Sequence, residues 1–119
     1  MEHNMGLYES PFNSIKSGRK KVEVRLNDEK RRELRIGDTI KFTKVPESNE
    51  SLTVKIVQLR EFPSFTEMYR SIPASELNAV GGSIDEMVER TYRIYTPEKE
   101  NEWGTVAITI KLIEEELLK

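Results

Sequence analysis

Lys20, Glu23 and Arg25 place an ammonium, a carboxylate and a guanidinium within six residues of one another. Such a trio can grip an anion, accept a proton or a hydrogen bond, and stabilise negative charge as it develops. Val22, Val24 and Leu26 alternate with Lys21, Glu23 and Arg25. Successive side chains of a strand point to opposite faces, so a core claims the first set and a cleft or solvent claims the second. Lys20 is one step out of phase with the charged set and joins it only at an irregular strand start. Glu23 and Arg25, two apart on one face, are either a surface ion pair of little consequence or two parts of a site. An acid among several bases stays ionised, which suits Glu23 to accepting from an amine or a water, or to acting as a base. Arg25 offers a planar donor fork, and Lys20 or Lys21 a point charge for a phosphate.

The trio sits in a charged neighbourhood. Residues 16–35 carry nine of the nineteen basic residues. Residues 16–44 hold eleven bases against five acids, whereas residues 45–119 hold eight bases against fourteen acids, so a chain of net charge -2 is locally polarised. A basic third of this kind favours an oriented contact with phosphate over general coating of nucleic acid, the plain alternative being a well-solvated mixed surface. Lys30, Arg31, Arg32 and Arg35 read singly as loop charges and together as a positive rim. Trp103, between an acidic stretch and Gly104, offers a flat face for stacking on a base, and Tyr95 is a second aromatic candidate that also continues an apolar helix stripe with Tyr92. Thr39, Thr43 and Thr105 supply hydroxyls near strand ends, where threonine is common in any case.

Other chemistries are poorly supplied. There is no cysteine, hence no disulfide, thiolate ligand or thiol nucleophile. The only histidine, His3, lies in a terminal stretch expected to fray. No Gly-rich phosphate loop, metal-ligand spacing or nucleophile elbow is present, so no cofactor and no metal are expected. No stretch approaches the ~20 apolar residues of a membrane span, and the first residues lack the apolar core of a signal peptide, so a soluble, cytoplasmic protein is expected. The length, 119 residues, is that of one domain, 1–119, and a monomer is expected.

Ser10-Pro11 reads as a helix start with Phe12 and Ile15 facing the core, and Gly18 as its stop. A strand follows over 20–26, then a loop or single helical turn over 28–35, a second strand over 39–44, an exposed loop over 46–51 and a long third strand ending by Pro63. Ser64 to Glu67 and Ser83 to Glu86 are capping boxes that open two amphipathic helices, the first stopped by Pro73, with a flexible Val80-Gly81-Gly82 joint between them. An acidic loop follows Pro97, a last strand spans 105–112, and 114–119 is a charged tail. Three short helices interrupting at least four strands predict an α+β fold built on a small curled sheet or barrel.

The segment Gly18-Arg19-Lys20-Lys21-Val22-Glu23-Val24-Arg25, the Gly37-Asp38 turn, and the Tyr92-to-Tyr95 and Trp103-Gly104 segments together resemble the ASCH domain, from about Met5 to Leu112. That resemblance implies a PUA-like β-barrel of about five strands in a mixed sheet, with a ligand cleft on the charged face of the first strand. RNA or a nucleotide-like molecule is the implied partner, with Lys20, Glu23 and Arg25 matching the family's lysine, acid and base positions; residue chemistry adds Lys21, Arg31, Arg32, Tyr95 and Trp103 as ligand-binding candidates. The enzymatic alternative is hydrolysis of a modified nucleoside or of RNA, Glu23 activating water and Lys20 stabilising the developing charge. One branch with this fold hydrolyses acetylated cytidine with a lysine, a threonine and a downstream glutamate. This sequence matches the lysine, at Lys20, and carries Glu23 where the threonine would stand. A third reading makes the acidic Glu98, Glu100 and Glu102 a protein-binding surface.

Overall fold

The computed structural model describes residues 1–79 and 81–117. Its sheet contains β1 (Glu2–Leu7), β2 (Val22–Leu26), β3 (Thr39–Lys44), β4 (Glu50–Phe62) and β5 (Thr105–Leu117), in the order β1-β3-β4-β5-β2. β1 runs parallel to β3 and the other neighbours are antiparallel, which makes the sheet mixed. It curls into a half-barrel whose two edges are β1 and β2.

The two edges approach each other, and side chains bridge them. Arg25 Nη2 on β2 donates to the Gly6 carbonyl of β1 at 2.9 Å, and Lys30 Nζ donates to the Asn4 carbonyl at 2.7 Å. Edge strands expose unpaired carbonyls at alternate residues, and here two cations satisfy two of them.

β1 corrects the expectation of a frayed start. Its burial alternates, with His3, Met5 and Leu7 inward, and His3 Nε2 pairs with Asp38 Oδ2 at 2.8 Å. Asn4 and Gly6, both poor strand formers, hid that alternation. Residues 114–117 of the expected charged tail instead continue β5 and pair with β4; Leu118 and Lys119 lie outside the described residues, as does Val80 of the expected joint.

Two apolar clusters cover opposite faces of the sheet. Phe12, Ile40, Phe42, Leu52, Val54 and Ile108 belong to the one inside the curl, whereas Val22, Leu26, Phe65, Met68, Met87 and Ala107 belong to the one beneath the helices. Each fully buried apolar side chain contributes roughly 1.5–3 kcal/mol. The alternation of β5 explains the division, since Val106, Ile108 and Ile110 enter the first cluster and Ala107 the second.

The helices are α1 (Glu9–Lys16), α2 (Glu29–Arg32), α3 (Phe65–Ser71), α4 (Ile84–Thr91) and α5 (Pro97–Trp103), with a 3₁₀ turn at Ala74–Leu77. α1 begins one residue before Ser10, so Pro11 falls in the first turn, where a missing N–H costs nothing. Gly18 follows its C-cap, Ser17, with a φ of 78°, the left-handed conformation expected there. The Ser83 capping box is complete, and Ser64 Oγ accepts from Glu67 N–H at 3.1 Å.

α5 replaces the acidic loop expected after Pro97. Thr96 caps it and Pro97 occupies its first turn, a start signal that the acidic composition masked. Within it, Glu100 is buried, accepting from Phe65 N–H at 2.8 Å and from the Tyr92 hydroxyl at 2.7 Å. It braces three segments of the helix layer and is not displayed to a partner, which corrects the reading of Glu98, Glu100 and Glu102 as one exposed surface. No described helix is long and apolar enough to cross a membrane.

Candidate functional site

Lys20, Glu23 and Arg25 meet. In the β2–β5 register Glu23 lies opposite Ile108 and Arg25 opposite Val106, so acid and base project into the curl, on the face where β5 places apolar residues. Glu23 is therefore only 3% exposed. Burying a lone carboxylate is prohibitive, and this one is fully engaged. Oε1 accepts from Lys20 Nζ at 2.8 Å and from Val24 N–H at 3.2 Å, while Oε2 accepts from Arg25 Nε at 2.9 Å and lies 2.8 Å from Arg25 Nη2.

β2 begins at Val22, so Lys20 precedes the strand and is free of its alternation. It turns to Glu23 while Lys21 is exposed to solvent. Lys21 is anchored by its backbone alone, its N–H donating to the Glu76 carbonyl at 2.7 Å.

Burial raises the Glu23 pKa, but the charges of Lys20 and Arg25 and the hydrogen bonds they donate outweigh it, and the net shift is downward. The carboxylate is ionised at neutral pH and its lone pairs are occupied. Two cations against one anion leave the trio net positive.

The trio lines one side of a cleft of about 360 Å³, within the range of small-molecule sites. Gly6, Leu7 and Tyr8 at the end of β1 and Val45 after β3 form one wall; Tyr69, Thr91, Ile94 and Tyr95 from the helix layer form the other. Gly6 lets the walls pack closely, since a Cβ there would come within 3.1 Å of Val45 Cγ1 and push that side chain back by a few tenths of an ångström. A second groove adjoins, sharing Lys20, Val24, Tyr69, Thr91 and Ile94 and extending to Asn78, Glu86 and Arg90.

Tyr95 and Tyr69 are backed by Phe65, with ring centroids 5.6 and 6.2 Å from it. Burial raises the pKa of both phenols, so they are neutral at pH 7. Thr91 Oγ1 lies 2.8 Å from the Met87 carbonyl, to which it can donate, and shares a 2.6 Å hydrogen bond with the Tyr69 hydroxyl.

The remaining candidates lie elsewhere. Arg31 and Arg32 line a separate cleft with Arg35. Trp103 lies at the end of α5 beneath Arg32, whose guanidinium carbon is 5.2 Å from the ring centroid, and it lines a shallow surface hollow with Leu26 and Lys30. It is not a wall of the Lys20 cleft. Tyr8, Tyr69, Thr91 and Ile94 were not legible as cleft residues. Tyr69 and Thr91 look like core positions of amphipathic helices, and only the tertiary fold sets their exposed edges against β2. Among the described residues no three His, Asp or Glu side chains converge as metal ligands would.

Comparison with known proteins matches this geometry to a family. The fold is similar to that of the hypothetical protein PH0355, at 38% identity over 95% of this chain and 100% of that one, TM-score 0.85. It is also similar to the protein PF0455 from Pyrococcus furiosus, at 39% identity over 96% and 99% of the two chains, TM-score 0.71. ZmASCH from Zymomonas mobilis, solved as an S128A mutant, shares the fold at 16% identity over 98% of this chain and 74% of that one, TM-score 0.66. No curated protein matches the chain. The ASCH domain model matches residues 5–114, the whole span over which the motifs resemble that domain, and with the PUA-like half-barrel beneath those motifs the chain belongs to the ASCH domain family.

Proposed function

We propose that this protein binds RNA or a nucleotide-like molecule in the cleft beside β2, with the anionic part of the ligand on Lys20 and Arg25 and a planar base against Tyr95. The observation that carries this reading is the buried Glu23 carboxylate, which holds an ammonium and a guanidinium side by side at the wall of an aromatic-lined cleft. A single acid cannot neutralise both cations, and the surplus charge sits where water is partly excluded and an anion is favoured. Pre-organised cations lose little entropy on meeting a phosphate, which favours affinity. Glu23 is thus a positioning residue rather than the acceptor for a base edge, since its oxygens are already taken.

Hydrolysis with Glu23 as the water-activating base fits less well. A carboxylate with lowered pKa and four donors around it is a weak base. Turnover of acylated nucleosides or short RNAs, lost in Glu23→Gln with the fold intact, would restore that reading.

The binding proposal is tested by titrating the four 5′-nucleoside monophosphates and a single-stranded hexaribonucleotide into the protein at several salt concentrations. Affinity falls as salt rises, with a log–log slope of about 0.7 per phosphate contact, and Lys20→Met or Arg25→Met flattens the slope. Binding that ignores salt, or that survives both substitutions, would overturn it.

A further inference from the structure

The arginines that the fold separates from Lys20 form a second concave site, and none of the features described above uses it. A cleft of about 450 Å³ lies beyond the far end of β2, lined by Asn27, Arg31, Arg32, Arg35 and Glu61 over an apolar floor that includes Leu34 and Leu59. From Glu23 to Asn27 is four strand residues, or roughly 13 Å, so the two clefts occupy opposite ends of the strand.

Its guanidinium groups are held in place without being neutralised. Arg32 Nε donates to the Asn27 carbonyl at 2.7 Å and Nη2 to the Trp103 carbonyl at 3.2 Å, and the group lies over the Trp103 ring. Arg35 Nη1 donates to the Arg32 and Leu34 carbonyls, each at 3.3 Å. Neither guanidinium has a carboxylate partner among the described residues, and Arg35 meets Asp38 Oδ2 through its backbone N–H, at 3.2 Å. Arg31 has one, Asp28, at a long 3.4 Å. The single acid in the lining, Glu61, accepts from the Asn27 amide. Carbonyl acceptors orient a guanidinium while leaving its full charge available to a ligand, which is the condition for a pre-organised oxyanion site.

We infer that Arg32 and Arg35, flanked by Arg31, form a second ligand site that takes a phosphate group. The assignment does not depend on the reading of the first cleft. Where both hold, one RNA strand spans the two, its base at Tyr95 and a flanking phosphodiester at Arg35. A free phosphate monoester is the other source of the same chemistry.

The test follows the arginine Nε–H signals of ¹⁵N-labelled protein, together with the fluorescence of Trp103, the only tryptophan. Inorganic phosphate, the four 5′-nucleoside monophosphates and a single-stranded hexaribonucleotide are titrated in turn. The expected result is that at least one probe shifts the Arg32 and Arg35 signals and changes Trp103 emission. Arg35→Gln weakens the response at Arg32 and Trp103 and, where the hexaribonucleotide binds, lowers the salt slope of that binding by about 0.7. Arg32→Lys, which keeps a charge but loses the fork, weakens it with the fold retained. A response to the hexanucleotide alone assigns the site to an RNA backbone, whereas an equal response to phosphate assigns it to a free monoester. Silence of Arg32 and Arg35 towards all three probes overturns the second site and leaves the first untouched. A response there with Arg25 and Tyr95 silent keeps the second site and overturns the first.

Discussion

The two cationic clusters arise from one basic stretch of sequence, yet the fold treats them in opposite ways. Lys20 and Arg25 are gathered by a buried carboxylate inside the curl, whereas Arg32 and Arg35 are held at the surface by backbone carbonyls. The first arrangement couples recognition to stability, because the acid that positions the cations cannot be removed without stranding them. The second separates the two, because a carbonyl carries no charge to leave behind. Residue type is thus a poor guide to what a cation does, and the identity of its acceptor is a good one.

The sharpest way to break this contrast is Glu23→Gln, which leaves two partly buried cations without their buried counter-charge. Its expected cost is about 3–5 kcal/mol, read as a lower midpoint in urea unfolding, while Arg35→Gln costs no more than ~0.5 kcal/mol. Equal costs would erase the distinction. Replacing the trio together, with Lys20→Met, Glu23→Leu and Arg25→Met, restores most of that stability, since apolar residues replace buried charges with little penalty, while ligand binding in the cleft disappears.

Next in size is Tyr95→Ala, which weakens nucleotide binding by about 1–3 kcal/mol if a base stacks there. The measurement is a titration at fixed salt, and an unchanged affinity would remove Tyr95 from the site.

Acid titration sharpens the comparison further. The folded pKa of Glu23 lies below its ordinary value of 4.5. The folded state therefore binds this proton less readily than the unfolded one, and the stabilisation is fully present above 4.5 and is lost as pH falls through the lower, folded value. Urea unfolding between neutral pH and the acid range should show a steeper loss for the wild type than for Glu23→Gln, and parallel profiles would contradict the assignment. The smallest effect belongs to Lys21→Ala. Its side chain is exposed, so stability changes within ~0.5 kcal/mol and cleft binding is unaltered.

Much of the architecture was legible because its signals are local. The alternation of Val106, Ile108 and Ile110 gave the last strand, the Ser83–Glu86 capping box gave α4, and Gly18 marked the end of α1. The two elements that stayed hidden had mixed signals. β1 alternates exposed Asn4 and Gly6 with its buried residues and is secured by a parallel partner 37 residues away, and α5 joins a good Thr96-Pro97 start to a composition that resembles a loop. Of the site, Lys20, Glu23, Arg25 and Tyr95 converge. The depth of Glu23 could not be read from β2, because its polar alternate face becomes interior only when β1 curls round to meet it. Trp103, Arg31 and Arg32 were grouped with the cleft on residue chemistry, but α2 and α5 carry them to the other end of the strand.

The most direct test of the account is the Arg25 Nε–H signal in ¹⁵N-labelled protein titrated with single-stranded hexaribonucleotide. The account predicts that this signal and the Val24 and Tyr95 amides shift together with one saturation curve, and that Lys20→Met weakens that curve. Saturable RNA binding that leaves Arg25, Val24 and Tyr95 unmoved would contradict it.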